Sequence, residues 1–314
     1  MENGSLAIGI DFGGTTIKSA VVNGAEIVHR GTTIDTQSHG APELIAALVG
    51  EILGLKGQFP AVVAAGVGLP GIVDSVRGIV HQLTNVKGWT ETPFRDLLKE
   101  KTGLRVVIEN DAKAMTYGEW KFGAGRNFTN VVCLTLGTGV GGGLILDGKL
   151  YRGSSLGAGE IGQMSIDRNG LPGNYGNLGA LEKYVGNAQI TERARRRYAA
   201  AGKDPLSVAS PAALAIAARE GDPVALELWE EIGTEIGVAC ANVVWLLNPD
   251  CVILGGGVAN AGELLFTTIR RVIGERTMHV FHERLEVLAA KLGTDAGVIG
   301  CAALALSPPE SSSF

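Results

Sequence analysis

Apolar residues along the chain fall into two alternating patterns. Short runs at residues 6–10, 17–22, 61–69, 105–108, 131–136, 144–146 and 251–254 are nearly free of charge and are bounded by glycine or polar turns. Runs of that length and content read as strands, several of them buried on both faces; residues 26–33 read as a further strand. Between them, apolar positions recur at helical spacing. Leu44, Ile45, Leu48, Val49, Ile52 and Leu53 follow Pro42 and form one helix face. Further helices are expected at 93–102, from about Asn110, at 188–201, 211–219 and 223–247, where Asn248-Pro249 stops the chain from continuing as helix.

The order of these elements repeats. Twice the chain presents an apolar strand, a glycine–threonine turn and a returning strand, each later joined by helices and further strands. The fold class this predicts is α/β, built as a duplicated plan of two domains around a central cleft. The 314 residues also fit two domains. Composition sharpens the picture at one point: 46 glycines make up about 15% of the chain, roughly double the usual ~7%. Tight turns between buried strands, where backbone amides can approach a ligand, account for that excess.

Charge and cysteine content exclude several classes. A net charge of −5 argues against a dedicated nucleic-acid binder. Cys133, Cys240, Cys251 and Cys301 form no CxxC pair, and Cys133 and Cys251 sit inside apolar runs, as reduced, buried thiols do. The N-terminal stretch lacks a basic segment and is interrupted by Asp11, unlike a signal peptide, and the uncharged run 127–146 is too rich in glycine and threonine for a membrane span. A cytoplasmic protein with no membrane partner is expected.

Three generic motifs match and fail on context. Residues 66–71 and 137–142 satisfy GxGxxG, but strand-like sequence follows each, whereas a dinucleotide fingerprint must open a helix. Residues 153–157 satisfy GxSxG without the strand and helix that a nucleophile elbow needs. The stronger signal is Asp11-Phe12-Gly13-Gly14-Thr15-Thr16 after a buried strand: amides and hydroxyls of such a hairpin can face a phosphate, and Asp11 can hold Mg²⁺ through water. Gly137-Thr138-Gly139 is a matching cradle in the second half. Gly255-Gly256-Gly257 could let a nucleotide lie against bare backbone.

DFGGTT, LPGIVD, ENDAKA, LTLGTGVGGG, AGEIGQM and NPDCVILGGGV, in this order, resemble the ROK family of bacterial sugar kinases, within the actin–hexokinase superfamily. The resemblance runs from about Ile8 to Ala303. It implies two actin-like (ribonuclease H-like) domains closing over a hexose and ATP with Mg²⁺, usually in a homodimer. The domains are expected at residues 1–113 with 299–314, and at 114–298. The resemblance makes Asp111 the catalytic base, and Gly68, Asn85, Asn110, Asp111, Glu160, Gln163 and Glu182 the sugar-binding residues. The phosphate and nucleotide set is Asp11, Gly13, Gly14, Thr15, Thr16, Lys18, Gly137, Thr138, Gly139, Gly255, Gly256 and Gly257. A simpler role stands beside four of these: Asn110 or Asp111 could equally cap the following helix, Asn85 could be a turn residue before Gly88, and Glu182 a solvated residue near a helix start.

The chain departs from the family at the metal. Zinc-containing members carry GEIGH followed by CxCGxxGCxE. Here Gln163 stands for the histidine, and Gly173, Tyr175 and Ala180 for the cysteines. The loop is therefore expected to hold no zinc; what holds it instead is left open by the sequence, with burial of Tyr175 and Leu178 the candidates. The resulting reading is an ATP-dependent hexose kinase, with glucose the first expectation. Fructose, mannose, allose or an N-acetylated amino sugar as acceptor, ADP or polyphosphate as donor, and a non-catalytic sugar sensor are the alternatives. The DFGGTT turn starts within the first dozen residues, which on this reading leaves no room for an N-terminal DNA-binding domain. The run Arg193, Arg195, Arg196, Arg197 reads as a solvated helix face.

Overall fold

The computed structural model describes residues 5–37, 39–83, 86 and 88–308. In the first part, β1 (Leu6–Phe12) turns into antiparallel β2 (Thr16–Asn23), flanked by β3 (Glu26–Arg30) and the short β4 (Ile34–Asp35). Helix α1 (Ala41–Gln58) has proline in its first turn and buries Leu44, Leu48, Ile52 and Leu55. Strand β5 (Val62–Leu69) runs parallel to β1. A separate hairpin, β6 (Gly71–Asp74) and β7 (Ile79–Leu83), leads to α2 (Phe94–Thr102), then β8 (Arg105–Asn110), parallel to β5, and α3 (Asp111–Phe122).

The plan then repeats. Strands β9 (Val131–Leu136), β10 (Val140–Leu146) and β11 (Lys149–Tyr151) form an antiparallel meander. Helices α4 (Glu182–Val185), α5 (Asn187–Ala200), α6 (Pro211–Arg219) and α7 (Pro223–Leu247) follow. Asp222 caps α7 by accepting from Val224 and Ala225 amides, and Asn248, in the left-handed region at φ 44°, ends it. Strand β12 (Cys251–Gly255), helices α8 (Glu263–Arg276) and α9 (His279–His282), strand β13 (Glu286–Ala289) and helix α10 (Ala296–Leu306) complete the order.

The two main sheets share one topology. Their orders are β3-β2-β1-β5-β8, with β4 also on β2, and β11-β10-β9-β12-β13. In each, a hairpin supplies the first strands and two parallel strands extend the far side. Two compact units result. One gathers the described residues up to 126 with 152–158 and those from 294; the other gathers 127–151 and 159–293. The expected boundaries at 113 and 299 fall inside α3 and α10, and both helices group whole with the first unit.

Helix α10 explains that grouping. It is apolar on all sides and buried from Ala296 to Ala305 except Gly297. A β-carbon on Gly9 of β1 would lie 1.8 Å from the Val298 carbonyl oxygen. One on Gly66 of β5 would lie 1.9 Å from that of Cys301. Glycine in both strands is what lets the helix backbone rest on the sheet.

The arginine run divides. Arg193 lies half-buried between Glu231 and Glu235 of α7, and Arg197 pairs with Glu227 and Glu231, so two of the four serve packing of α5 on α7. Arg195 and Arg196 are exposed. All four cysteines are free and buried. Among the described residues, no helix is long and apolar enough to cross a membrane.

Candidate active site

In the first unit, parallel pairing sets Asp11 of β1 beside Gly68 of β5, and Gly68 beside Glu109 of β8. The carboxyl ends of three parallel strands therefore meet, the usual place for a ligand in an α/β sheet. Asp11 is half-buried there; burial pushes its carboxyl above the ordinary aspartate range, opposed by the charge of Lys18. Gly297 at the start of α10 packs against it: a β-carbon there would lie 2.7 Å from Asp11 Cγ. The hairpin turn is closed by the Gly13 amide donating to Thr16 O at 2.9 Å. Thr36 braces it, its amide donating to Thr15 O at 3.0 Å and its hydroxyl to Gly14 O at 3.0 Å. Thr15 and Lys18 are exposed.

Asp111 is the first residue of α3. Its Oδ1 accepts from the Ala112 amide at 2.8 Å. Asn110 is the N-cap: Oδ1 accepts from the Lys113 amide at 3.2 Å, while Nδ2 donates to Gly71 O at 3.4 Å. The capping role is real and belongs to Asn110, and it fixes Asp111 at a rigid helix start. Behind them is a pair the sequence reading missed. Glu109, 3% exposed, accepts from Arg152 Nε at 2.6 Å through Oε2 and from the Asn110 amide at 3.0 Å through Oε1. Its place in ENDAKA was the available signal; no pattern links it to an arginine 43 residues away.

The second unit assembles its own share. The β9–β10 turn is closed by the Gly137 amide donating to Gly139 O at 2.9 Å. Beside it, Gly255 pairs with Thr135, and the backbone of Gly256, at φ 85°, passes so close that a β-carbon would lie 2.3 Å from Leu136 O. The turns at Gly137–Gly139 and Gly255–Gly257 thus sit side by side at adjacent strand ends, with Thr138 exposed. A short 3₁₀ turn, Val258–Ala261, separates the triglycine from α8.

Glu160 is exposed and precedes a 3₁₀ turn, Ile161–Gln163. Gln163 Nε2 lies 3.5 Å from Glu182 Oε1. The loop between them is not held by apolar burial: Tyr175 is 78% exposed and Leu178 46%. That expectation is corrected, because two side chains on a narrow glycine-rich loop have no wall to pack against. Hydrogen bonds do the work. Asn177 Nδ2 donates to Gln163 O at 2.7 Å, Ser165 Oγ to Leu178 O at 2.7 Å, and the Leu171 amide to Tyr184 Oη at 2.9 Å. Among the described residues, no group of three or more His, Cys, Asp or Glu side chains converges as metal ligands would. Asn85, an expected sugar residue, lies outside the described residues.

The demoted motifs fall where their context predicted. Residues 66–71 lead from β5 into β6, residues 137–142 form a hairpin, and residues 153–157 enter no α-helix.

Comparison with known proteins places this arrangement. The ROK family model matches residues 7–307. A glucokinase of Streptomyces coelicolor is 33% identical, over 96% of this chain and 98% of its own. The crystal structure of a ROK family glucokinase from Streptomyces griseus, in complex with glucose and AMPPNP, superposes with a TM-score of 0.78 at 34% identity, covering 96% of this chain and 99% of that one. A xylose repressor of Bacillus spizizenii is 28% identical over 97% of this chain and 78% of its own. With two domains of the actin-like kind, each carrying its glycine turns on matching strand ends, the chain belongs to the ROK family.

Proposed function

We propose that the protein is a sugar kinase that transfers the terminal phosphoryl group of ATP to a hexose, with glucose the expected acceptor. The observation that carries this reading is the placement of Asp111. Its carboxylate is oriented by the Ala112 amide on a helix start that Asn110 caps and the Glu109–Arg152 pair backs. Such a group accepts the proton of the attacking hydroxyl as the phosphoryl group moves. Amides and hydroxyls at Gly13–Thr16 and Gly137–Gly139 suit phosphate oxygens, and bare backbone at Gly255–Gly257 suits a nucleoside. Carboxylates and amides at Asn110, Glu160, Gln163 and Glu182 suit adjacent sugar hydroxyls.

Asp11 would hold Mg²⁺. A single half-buried carboxylate at a strand end fits that ion, which keeps water and takes its other ligands from phosphate. When bound, Mg²⁺ supplies charge neutralisation at the transferred phosphate.

A coupled assay across glucose, fructose, mannose, allose and N-acetylated amino sugars, each with ATP, ADP or polyphosphate, tests the reading. Glucose 6-phosphate formed from ATP is the expected result. The likeness to a xylose repressor favours a second reading, a sugar sensor without turnover. Sugar binding with no phosphorylation under any donor would establish that one instead.

The same reading holds that the protein works without zinc, since hydrogen bonds donated by Ser165 and Asn177 and one accepted by Tyr184 secure the loop that zinc pins in other members. Elemental analysis is expected to find no stoichiometric zinc, and a zinc-selective chelator with Mg²⁺ supplied is expected to leave the rate unchanged. Loss of activity restored by zinc would refute this.

A further inference from the structure

The Glu182 carboxylate touches more than the sugar-binding role accounts for. Its Oε2 accepts from the Val140 amide at 3.0 Å, immediately after the Gly137–Gly139 turn. It also lies against that turn: a β-carbon on Gly139 would stand 2.3 Å from the same oxygen. One turn further along the chain, the Asn187 amide donates to Gly137 O at 2.8 Å. The start of α4 and the start of α5 therefore both fasten the glycine turn.

The other carboxylate oxygen faces the loop. Glu182 Oε1 accepts from Asn174 Nδ2 at 3.0 Å, and Asn174 Oδ1 accepts from Lys183 Nζ at 2.5 Å. An ammonium group only donates and a carboxylate only accepts, so one orientation of the Asn174 amide satisfies both partners. Lys183 sets Asn174, and Asn174 sets Glu182.

We infer that Glu182 is a positioning residue for the phosphoryl donor as well as a ligand for the acceptor, and that Asn174 holds it in that double role. One side chain then joins the loop that meets the sugar to the turn that meets the donor phosphates. The inference rests on the sugar-kinase reading. Its distinguishing consequence appears in the absence of sugar: the donor turn should lose its shape when Glu182 is shortened, whatever the acceptor.

The test is calorimetric binding of Mg²⁺–AMPPNP to sugar-free protein, alongside the glucose KM. Glu182→Ala is expected to weaken nucleotide binding about tenfold or more, the scale of losing a hydrogen bond to a charged group. Glu182→Gln is expected to recover part of the nucleotide affinity, since its Oε1 can still accept from Val140 although its Nε2 then faces the Asn174 donor, while the glucose KM stays high. Asn174→Asp, a change at an exposed side chain, removes the donor to Glu182, adds a like charge, and is expected to weaken nucleotide binding several-fold. Wild-type nucleotide affinity in folded Glu182→Ala overturns the inference, with Glu182 then serving the sugar alone. Should that variant not fold, wild-type affinity in Asn174→Asp overturns it equally. Failure of the unaltered protein to bind the nucleotide would overturn the kinase reading, and this inference with it.

Discussion

Replacing Asp111 with asparagine is expected to lower kcat by about 10²–10⁴-fold, the usual contribution of a general base, while sugar still binds. The substituted side chain keeps its shape and its Oδ1 can still accept from the Ala112 amide, so α3 begins as before. What is lost is the capacity to take a proton from the attacking hydroxyl. The coupled assay gives kcat, and calorimetry gives sugar affinity. A wild-type kcat would remove Asp111 from its assigned role, and lost sugar binding would make it a ligand only.

The second large effect is expected at Arg152. Replacement by methionine keeps most of the stem and removes the charge that faces Glu109. The Glu109 side chain is 4% exposed and that of Arg152 16%. Breaking a buried pair by removing one partner costs about 3–5 kcal/mol, because the remaining charge is stranded. The urea midpoint should fall accordingly. Adding Glu109→Gln should recover part of the loss, since a neutral amide can still accept from the Asn110 amide. The rate should fall along with stability, because Glu109 precedes Asn110 and Asp111 on one strand end. An unchanged midpoint would show that the pair contributes nothing.

Much of this architecture could be read from the chain before any coordinates. The β1–β2 and β9–β10 hairpins announced themselves because a charge-free run, a glycine–threonine turn and a second run leave few other structures open. Helix α7 could be bounded at both ends, since Asp222 and Pro223 start it and Asn248-Pro249 cannot continue it. Helix α10 was hidden for the opposite reason. It is buried all round, so Ala296–Leu306 shows no polar face and no stripe from which a helical period could be counted. Strands β4, β11 and β13, of two, three and four residues, are too short to register as patterns.

At the candidate site, the position of the glycine turns and of Asp111 at a helix start could be read because the features that fix them are local. The supports were not. Arg152 reaches Glu109 across 43 residues of sequence, and Asn174 serves Glu182 only because the loop folds back on itself. The loop from Gln163 to Glu182 taught the sharper lesson. Loss of four ligands suggested replacement by apolar burial, whereas the structure uses Asn177, Ser165 and Tyr184 as hydrogen-bonding struts. Polar residues in a glycine-rich stretch carry no periodic signal, so nothing in their spacing announces which carbonyl each will meet.

The contact of α10 with β1 and β5 has a consequence for how the protein is made. On the ribosome a chain emerges from its N-terminus, and domains ordinarily fold in that sequence. Here the first sheet waits for the last helix, because α10 rests on the part of its face that Gly9 and Gly66 leave flat. The segments of the second unit, through residue 293, are all synthesised before that helix exists. The later-encoded unit is thus the first that can finish. A nascent chain stalled before Ala296 would carry a completed second unit and a first sheet with bare aliphatic surface, a state that chaperones are built to recognise.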